Sequence, residues 1–171
     1  MKSLIVPKNS KSVISESFRS IRTNIQYLAV DKDKKVITVS SSVGGEGKTF
    51  CSMNLASIFA LSGHKTVLIG ADLRKPKLEL EFKSENKSGL SNYLINKSTL
   101  EEVTNKTEIE HLDIIFSGPT PPILKSPPAI QTIPSGAWGG VIRPAALNAT
   151  KRLMQQVVIQ SFLCNSCFYC I

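Results

Sequence analysis

The stretch Val36-Ile-Thr-Val-Ser-Ser-Ser-Val-Gly-Gly-Glu-Gly-Lys-Thr49 decides how the rest of the chain is read. Its first half is a β-branched run with the composition of a strand. The run empties into a glycine-rich loop that closes on Lys48-Thr49, where a helical pattern begins at once. Strand, glycine loop and helix in that order build a phosphate cradle. Glycines let successive backbone N–H groups converge on an anion with no Cβ in the way. The first turn of the helix adds unpaired donors and the positive end of its dipole. Residues 42 to 49 fit the eight-residue spacing of a phosphate-binding loop, except that Ser42 stands where the first glycine usually does. Lys48 is expected to reach the terminal phosphates, and the Thr49 hydroxyl to ligate Mg²⁺. The nucleotide-binding set expected from this stretch is Ser42, Val43, Gly44, Gly45, Glu46, Gly47, Lys48, Thr49 and Phe50, with ATP and Mg²⁺ as cofactors. A glycine cluster alone would fit an ordinary turn; Gly-Lys-Thr in register behind a strand is the specific part.

On the C-terminal side the pattern predicts a helix to about Leu61, with Cys51, Leu55, Ile58 and Phe59 as core positions and Gly63 as its stop. Cys51 reads as a small buried hydrophobe, and His64 as a surface turn residue. Lys65-Thr-Val-Leu-Ile-Gly-Ala71 is a second buried-strand pattern, which makes a right-handed βαβ unit with parallel strands. In an open parallel sheet the ligand sits at the carboxyl ends of the strands. Asp72 is therefore delivered to the same edge as the loop, where a carboxylate holds Mg²⁺ or accepts a proton from an attacking hydroxyl. The bland alternative for Asp72 is a helix N-cap. Farther on, Leu90-Ser-Asn-Tyr-Leu-Ile95 and Leu100-Glu-Glu-Val103 suggest one or two short helices, and His111-Leu-Asp-Ile-Ile-Phe116 a third strand closed by Ser117-Gly118-Pro119.

On the N-terminal side, residues 1 to 10 read as an extended lead-in. From about Val13 to Ala29, Ile14, Phe18, Ile21, Ile25 and Leu28 fall on one helix face. Glu16 and Arg19 lie opposite and Arg22 on the flank, three residues apart, so they form a connected polar ridge. Taken alone, such a ridge is a solvated face.

The 171 residues are enough for one domain with a substantial core, and 42% apolar with 20% charged residues is the composition of a soluble globular protein. Apolar runs fall short of a membrane span and no signal segment is evident, so a cytoplasmic location is expected. The net charge of +8 could suit an anionic surface, but no aromatic-basic platform accompanies it and no nucleic-acid partner is expected. The charge is uneven. All 13 acids lie in residues 1 to 121, and beyond them only Lys125, Arg143, Lys151 and Arg152 are charged.

With these residues in hand, residues 1 to about 122 resemble the bacterial tyrosine kinases, the cytoplasmic modules of capsular and exopolysaccharide chain-length regulators. Glu16-Ser-Phe-Arg19-Ser-Ile-Arg22 resembles the family's E-x-x-R-x-x-R helix, which implies ring-shaped self-association. Residues 39 to 49 resemble its Walker A loop, Val67-Leu-Ile-Gly-Ala-Asp-Leu-Arg-Lys-Pro76 its Walker A′ strand, and Gly89-Leu-Ser-Asn-Tyr-Leu94 and Ser117-Gly-Pro-Thr-Pro-Pro122 further segments. The resemblance implies a P-loop NTPase of α/β class, a parallel sheet with flanking helices. It also implies an ATP-dependent protein-tyrosine kinase with Lys48 and Asp72 as catalytic residues and Thr49 and Asp72 on Mg²⁺. The implied partners are further copies of the chain and a membrane polysaccharide chain-length regulator, in cis or in trans, at the inner face of the cell membrane. Two alternatives stand beside it: a non-catalytic nucleotide-binding oligomerisation module, and a partition-type ATPase. The latter carries a lysine where this chain has Val43.

The chain also departs from the family. Gly70 stands where the Walker A′ strand commonly has a first aspartate. The family's Walker B element, an apolar strand ending in aspartate and Thr-Pro-Pro, has no counterpart in a tail without acids, and Tyr27, Tyr93 and Tyr169 form no cluster. The sheet is thus expected to be truncated before Walker B. The expected division is an incomplete kinase domain at 1–122 and an atypical tail at 123–171, out of frame or disordered, with a partner-specific tail as the rival explanation. Cys164, Cys167 and Cys170 lack a fourth ligand for a closed metal site.

Overall fold

A computed structural model describes residues 4–28, 36–41, 44–73, 76–85 and 88–120, and the backbone of 157–163. The helices are α1 Val13–Leu28, α2 Lys48–Leu61, α3 Leu78–Phe82, α4 Leu90–Leu94 and α5 Leu100–Val103. The strands are β1 Val36–Ser41, β2 Thr66–Gly70, β3 Thr104–Lys106, β4 Leu112–Ile115 and β5 Val157–Leu163. They form one sheet in the order β1-β5-β2-β4-β3, parallel throughout except for β3, which runs antiparallel to β4 at the edge.

Period-two alternation divides the core between the two faces of this sheet. Leu68, Leu112 and Ile114 point to one face, where Met53, Leu55, Ile58 and Phe59 of α2 and Phe18 of α1 cover them. Val67, Ile69 and Ile115 point to the other, under Leu90, Leu100 and Val103. A strand covered on both faces reads as a near-continuous apolar run, and β2, buried at every position, has Thr66 as its one polar residue. β1 instead alternates between exposed and half-buried residues.

Several expectations need correction. Cys51 is exposed; it lies in the first turn of α2, before the continuously buried run 52–60 begins. The parallel direction expected of β1 and β2 holds, with β5 lying between them. β5 comes from the tail that the composition had set apart; residues 121–156 and 164–171 lie outside the described set. Three short helices, not one or two, follow β2, and β3 is an additional strand. The lead-in is not merely extended. Leu4 and Val6 are buried, and the fully buried Asn54 pins them, its Oδ1 accepting from Ile5 N at 2.9 Å and Val6 N at 3.1 Å while its Nδ2 donates to the Phe50 carbonyl.

Gly63 does end α2, with φ of 85° and its N–H donating to the Ala60 carbonyl at 2.9 Å. His64 lies in the exposed turn that follows.

Candidate functional site

β1 delivers the loop at its carboxyl end and α2 receives it. Gly45 and Gly47 have φ of 92° and 87°, a region that a side chain disfavours. Among the described residues, a Cβ at Gly44, Gly45 or Gly47 would find no heavy atom within 4 Å, so the space beside these glycines is open there. Gly47 is the N-cap of α2 and brings no side chain to the first turn. The leading amides of a 14-residue helix therefore face the loop without a side-chain cap. This donor set fits an oligophosphate. Ser42 and Val43 lie outside the described residues, Gly44, Gly45 and Glu46 are exposed, and Thr49 and Phe50 are half-buried.

Lys48 is buried at the first position of α2, and its ammonium donates to Ser41 Oγ at the last position of β1. The serine is a partner that motif reading does not single out. Asp72 is half-buried two residues beyond β2, at the same carboxyl edge. It is not a helix N-cap, since that role in α3 falls to Lys77. With β5 between them, β1 and β2 stand roughly 10 Å apart, two interstrand spacings. Their intervening neighbour ends at the same level, Leu163 opposite Ser41 and Ser161 opposite Gly70, and Val157–Leu163 carries no acid.

The far side of the edge contains a carboxylate that sequence reading missed. Glu79, in the first turn of α3, is buried; its Oε1 accepts from Ser117 N at 2.8 Å and from Ser117 Oγ. The apolar-acidic alternation of Leu78-Glu-Leu-Glu-Phe82 gave no hint which acid turns inward. Away from the edge, Glu16 and Arg19 form an ion pair within α1, and the buried Nε of Arg22 has no hydrogen-bond partner among the described residues. No helix of the described residues is long and apolar enough to cross a membrane.

Comparison with known proteins agrees with this geometry. Residues 34–120 match the family model described as an AAA domain. Tyrosine-protein kinase YwqD of Bacillus subtilis is 42% identical over 121 residues, which are 71% of this chain and 51% of that protein. Among solved structures, the chimerical protein CapA2B2 shares 34% identity with a TM-score of 0.73, over 98% of this chain and 69% of that one. The kinase domain of the Escherichia coli tyrosine kinase ETK shares 25% identity with a TM-score of 0.77, over 92% of this chain and 58% of that one. The chain spans about half the length of the curated relative, 51%. A P-loop edge in this setting, with relatives of this kind, identifies the chain as a member of the AAA-domain family and, within it, of the bacterial tyrosine kinases.

Proposed function

We propose that the chain is the Mg-ATP-binding module of a protein-tyrosine kinase of capsular or exopolysaccharide assembly. In this reading residues 42–47 and the leading amides of α2 hold the phosphates, with Phe50 beside them. Lys48, released from Ser41, neutralises charge on the terminal phosphates. Thr49 and Asp72 hold Mg²⁺. Bound Mg-ATP supplies the phosphoryl group, which passes to a tyrosine hydroxyl and leaves ADP behind. Asp72 accepts the proton of that hydroxyl, the role a carboxylate at this edge is suited to. The observation that carries the reading is the open glycine cradle closing on buried Lys48, at the sheet edge that also bears Asp72.

Further copies of the chain are the proposed partners, in a ring joined through Glu16, Arg19 and Arg22. A membrane chain-length regulator, in cis or in trans, would hold the assembly at the inner face of the membrane. Residues 1–122 form the kinase portion and 123–171 a distinct tail that lends the sheet an interior strand, between β1 and β2.

Calorimetric titration of wild type and Lys48→Ala with Mg-ADP and Mg-ATP tests the site. The variant is expected to bind about 10- to 100-fold more weakly, the loss of a charge-assisted contact. A tyrosine-rich peptide supplied with Mg-ATP should gain phosphotyrosine with wild type and not with Lys48→Ala. Binding without transfer would replace the kinase with a non-catalytic module, and absence of binding by wild type would overturn both.

A further inference from the structure

Ser41 is the last residue of β1, and period-two alternation places it in line with Ile37 and Val39. Those two pack against the core on the face that α2 covers. The line is apolar until its end, where a half-buried serine stands; Ser40 beside it is exposed, on the opposite face. The hydroxyl at 41 is therefore turned toward α2, and Lys48 at the start of that helix donates its ammonium to it. Lys48 is only 9% exposed. The contact is direct, between the two residues that bracket the phosphate loop in sequence.

The same ammonium is the group that meets the terminal phosphates in the reading above. A hydroxyl and a phosphate oxygen thus draw on one buried cation. The phosphate is the stronger acceptor, because its bond to the ammonium joins opposite charges. A contact made in the free protein and given up to a ligand is nonetheless subtracted from that ligand's affinity, since binding reads the difference between the two states. An opposing effect is that a lysine held in place has less side-chain freedom left to lose. In a residue 9% exposed, the surrounding packing removes most of that freedom with or without the hydroxyl. The subtraction wins.

We infer that Ser41 is a positioning residue for Lys48 that contends with the nucleotide for its ammonium. It keeps the cation at the end of β1 and yields it to a ligand whose anionic oxygen reaches that depth, as an oligophosphate does. The inference rests on the reading of Lys48 as the residue on the terminal phosphates.

The test uses the full chain with Ser41→Ala, Ser41→Thr and Ser41→Val, and Lys48→Ala with and without Ser41→Ala. Two quantities are read, the Kd for Mg-ADP by calorimetry and the thermal midpoint with and without saturating Mg-ADP. Ser41→Ala is expected to bind about three- to tenfold tighter, the worth of one hydrogen bond. Its midpoint without nucleotide should fall by about 2–4 °C, and saturating Mg-ADP should close that gap. Ser41→Thr keeps the hydroxyl and should bind as wild type does. Ser41→Val has the shape of the threonine without its hydroxyl and should bind tighter than Ser41→Thr by the same factor. In the Lys48→Ala background, Ser41→Ala should leave the affinity unmoved.

Binding by Ser41→Ala and Ser41→Val that is equal to or weaker than that of wild type and Ser41→Thr would overturn the inference. A serine that only supports the strand would give that result, lowering midpoint and affinity together. A gain of the same size in the Lys48→Ala background would also overturn it, since the hydroxyl would then act through something other than the ammonium. If wild type binds no Mg-ADP, the reading of the site fails and the inference falls with it. Full affinity in Lys48→Ala would instead leave the site standing, remove Lys48 from the phosphates and overturn the inference alone.

Discussion

Gly118 and Gly63 share a backbone conformation, with φ of 77° and 85°, yet they stand in opposite surroundings. Among the described residues a Cβ at Gly63 would meet nothing within 4 Å, whereas at Gly118 it would lie 2.6 Å from Ser91 Oγ and 2.9 Å from Gly89 N. Gly63→Ala should therefore cost only the left-handed backbone term, about 1 kcal/mol. Gly118→Ala adds overlap with α4 and should cost about 2–4 kcal/mol. Urea unfolding of the two variants checks the difference; equal losses would mean that the close approach of Gly89 to Gly118 is not real. Only part of this was legible. A glycine after the last apolar residue of a helix announces itself, and Gly63 was read correctly. The contact of Gly118 with Gly89 joins residues 29 positions apart (118 − 89) and leaves no local signal. The inward turn of Glu79 and the exposure of Cys51 escaped for the same reason, since each depends on what the tertiary structure puts opposite.

Among the elements, α1 separates what holds the fold from what is offered to a partner. Phe18 is buried and Ile25 half-buried against α2, and Asn54 of α2 grips the segment that leads into α1. The Glu16–Arg19 pair is one helical turn long, with side chains 63% and 35% exposed respectively, and such a pair contributes only about 0.3 kcal/mol. That pair is therefore nearly dispensable for folding. Replacing Glu16 and Arg19 together by alanine should leave the unfolding midpoint and Mg-ADP affinity close to wild type while abolishing self-association in light scattering. An unchanged mass in solution would sink the assignment of that ridge to ring formation. Long elements were the legible ones here. The apolar spacing of α1 and the loop-helix junction of α2 follow from periods of three and four that persist over 16 and 14 residues. α3, α4 and α5 have five, five and four residues, too few for a period to stand out, and β3 has three.

At the scale of the whole molecule, the sheet depends on a strand that the composition argued against. The acid-free run Val157-Val-Ile-Gln-Ser-Phe-Leu163 looked foreign beside the mixed charges of residues 1 to 121. An interior strand, flanked by parallel neighbours on both sides, is the place where lack of charge is the rule. β5 is also what ties the phosphate loop to the rest of the sheet. Among the described residues β1 pairs with β5 and with no other strand, and β5 in turn pairs with β2. Ile159 stands opposite both Ile37 and Leu68, at the middle of the two ladders. Proline there removes an N–H and blocks close pairing, at a cost of about 3 kcal/mol or more in a strand interior. Because β1 carries the loop that ends in Lys48, the damage should not stay local. Ile159→Pro is expected to lower the urea midpoint and to lose Mg-ADP binding with it, although residue 159 lies more than 100 positions from the loop (159 − 49 = 110). Wild-type unfolding and binding in this variant would mean that β1 is held by something other than the tail, and the tail would return to being a passenger on a sheet complete without it.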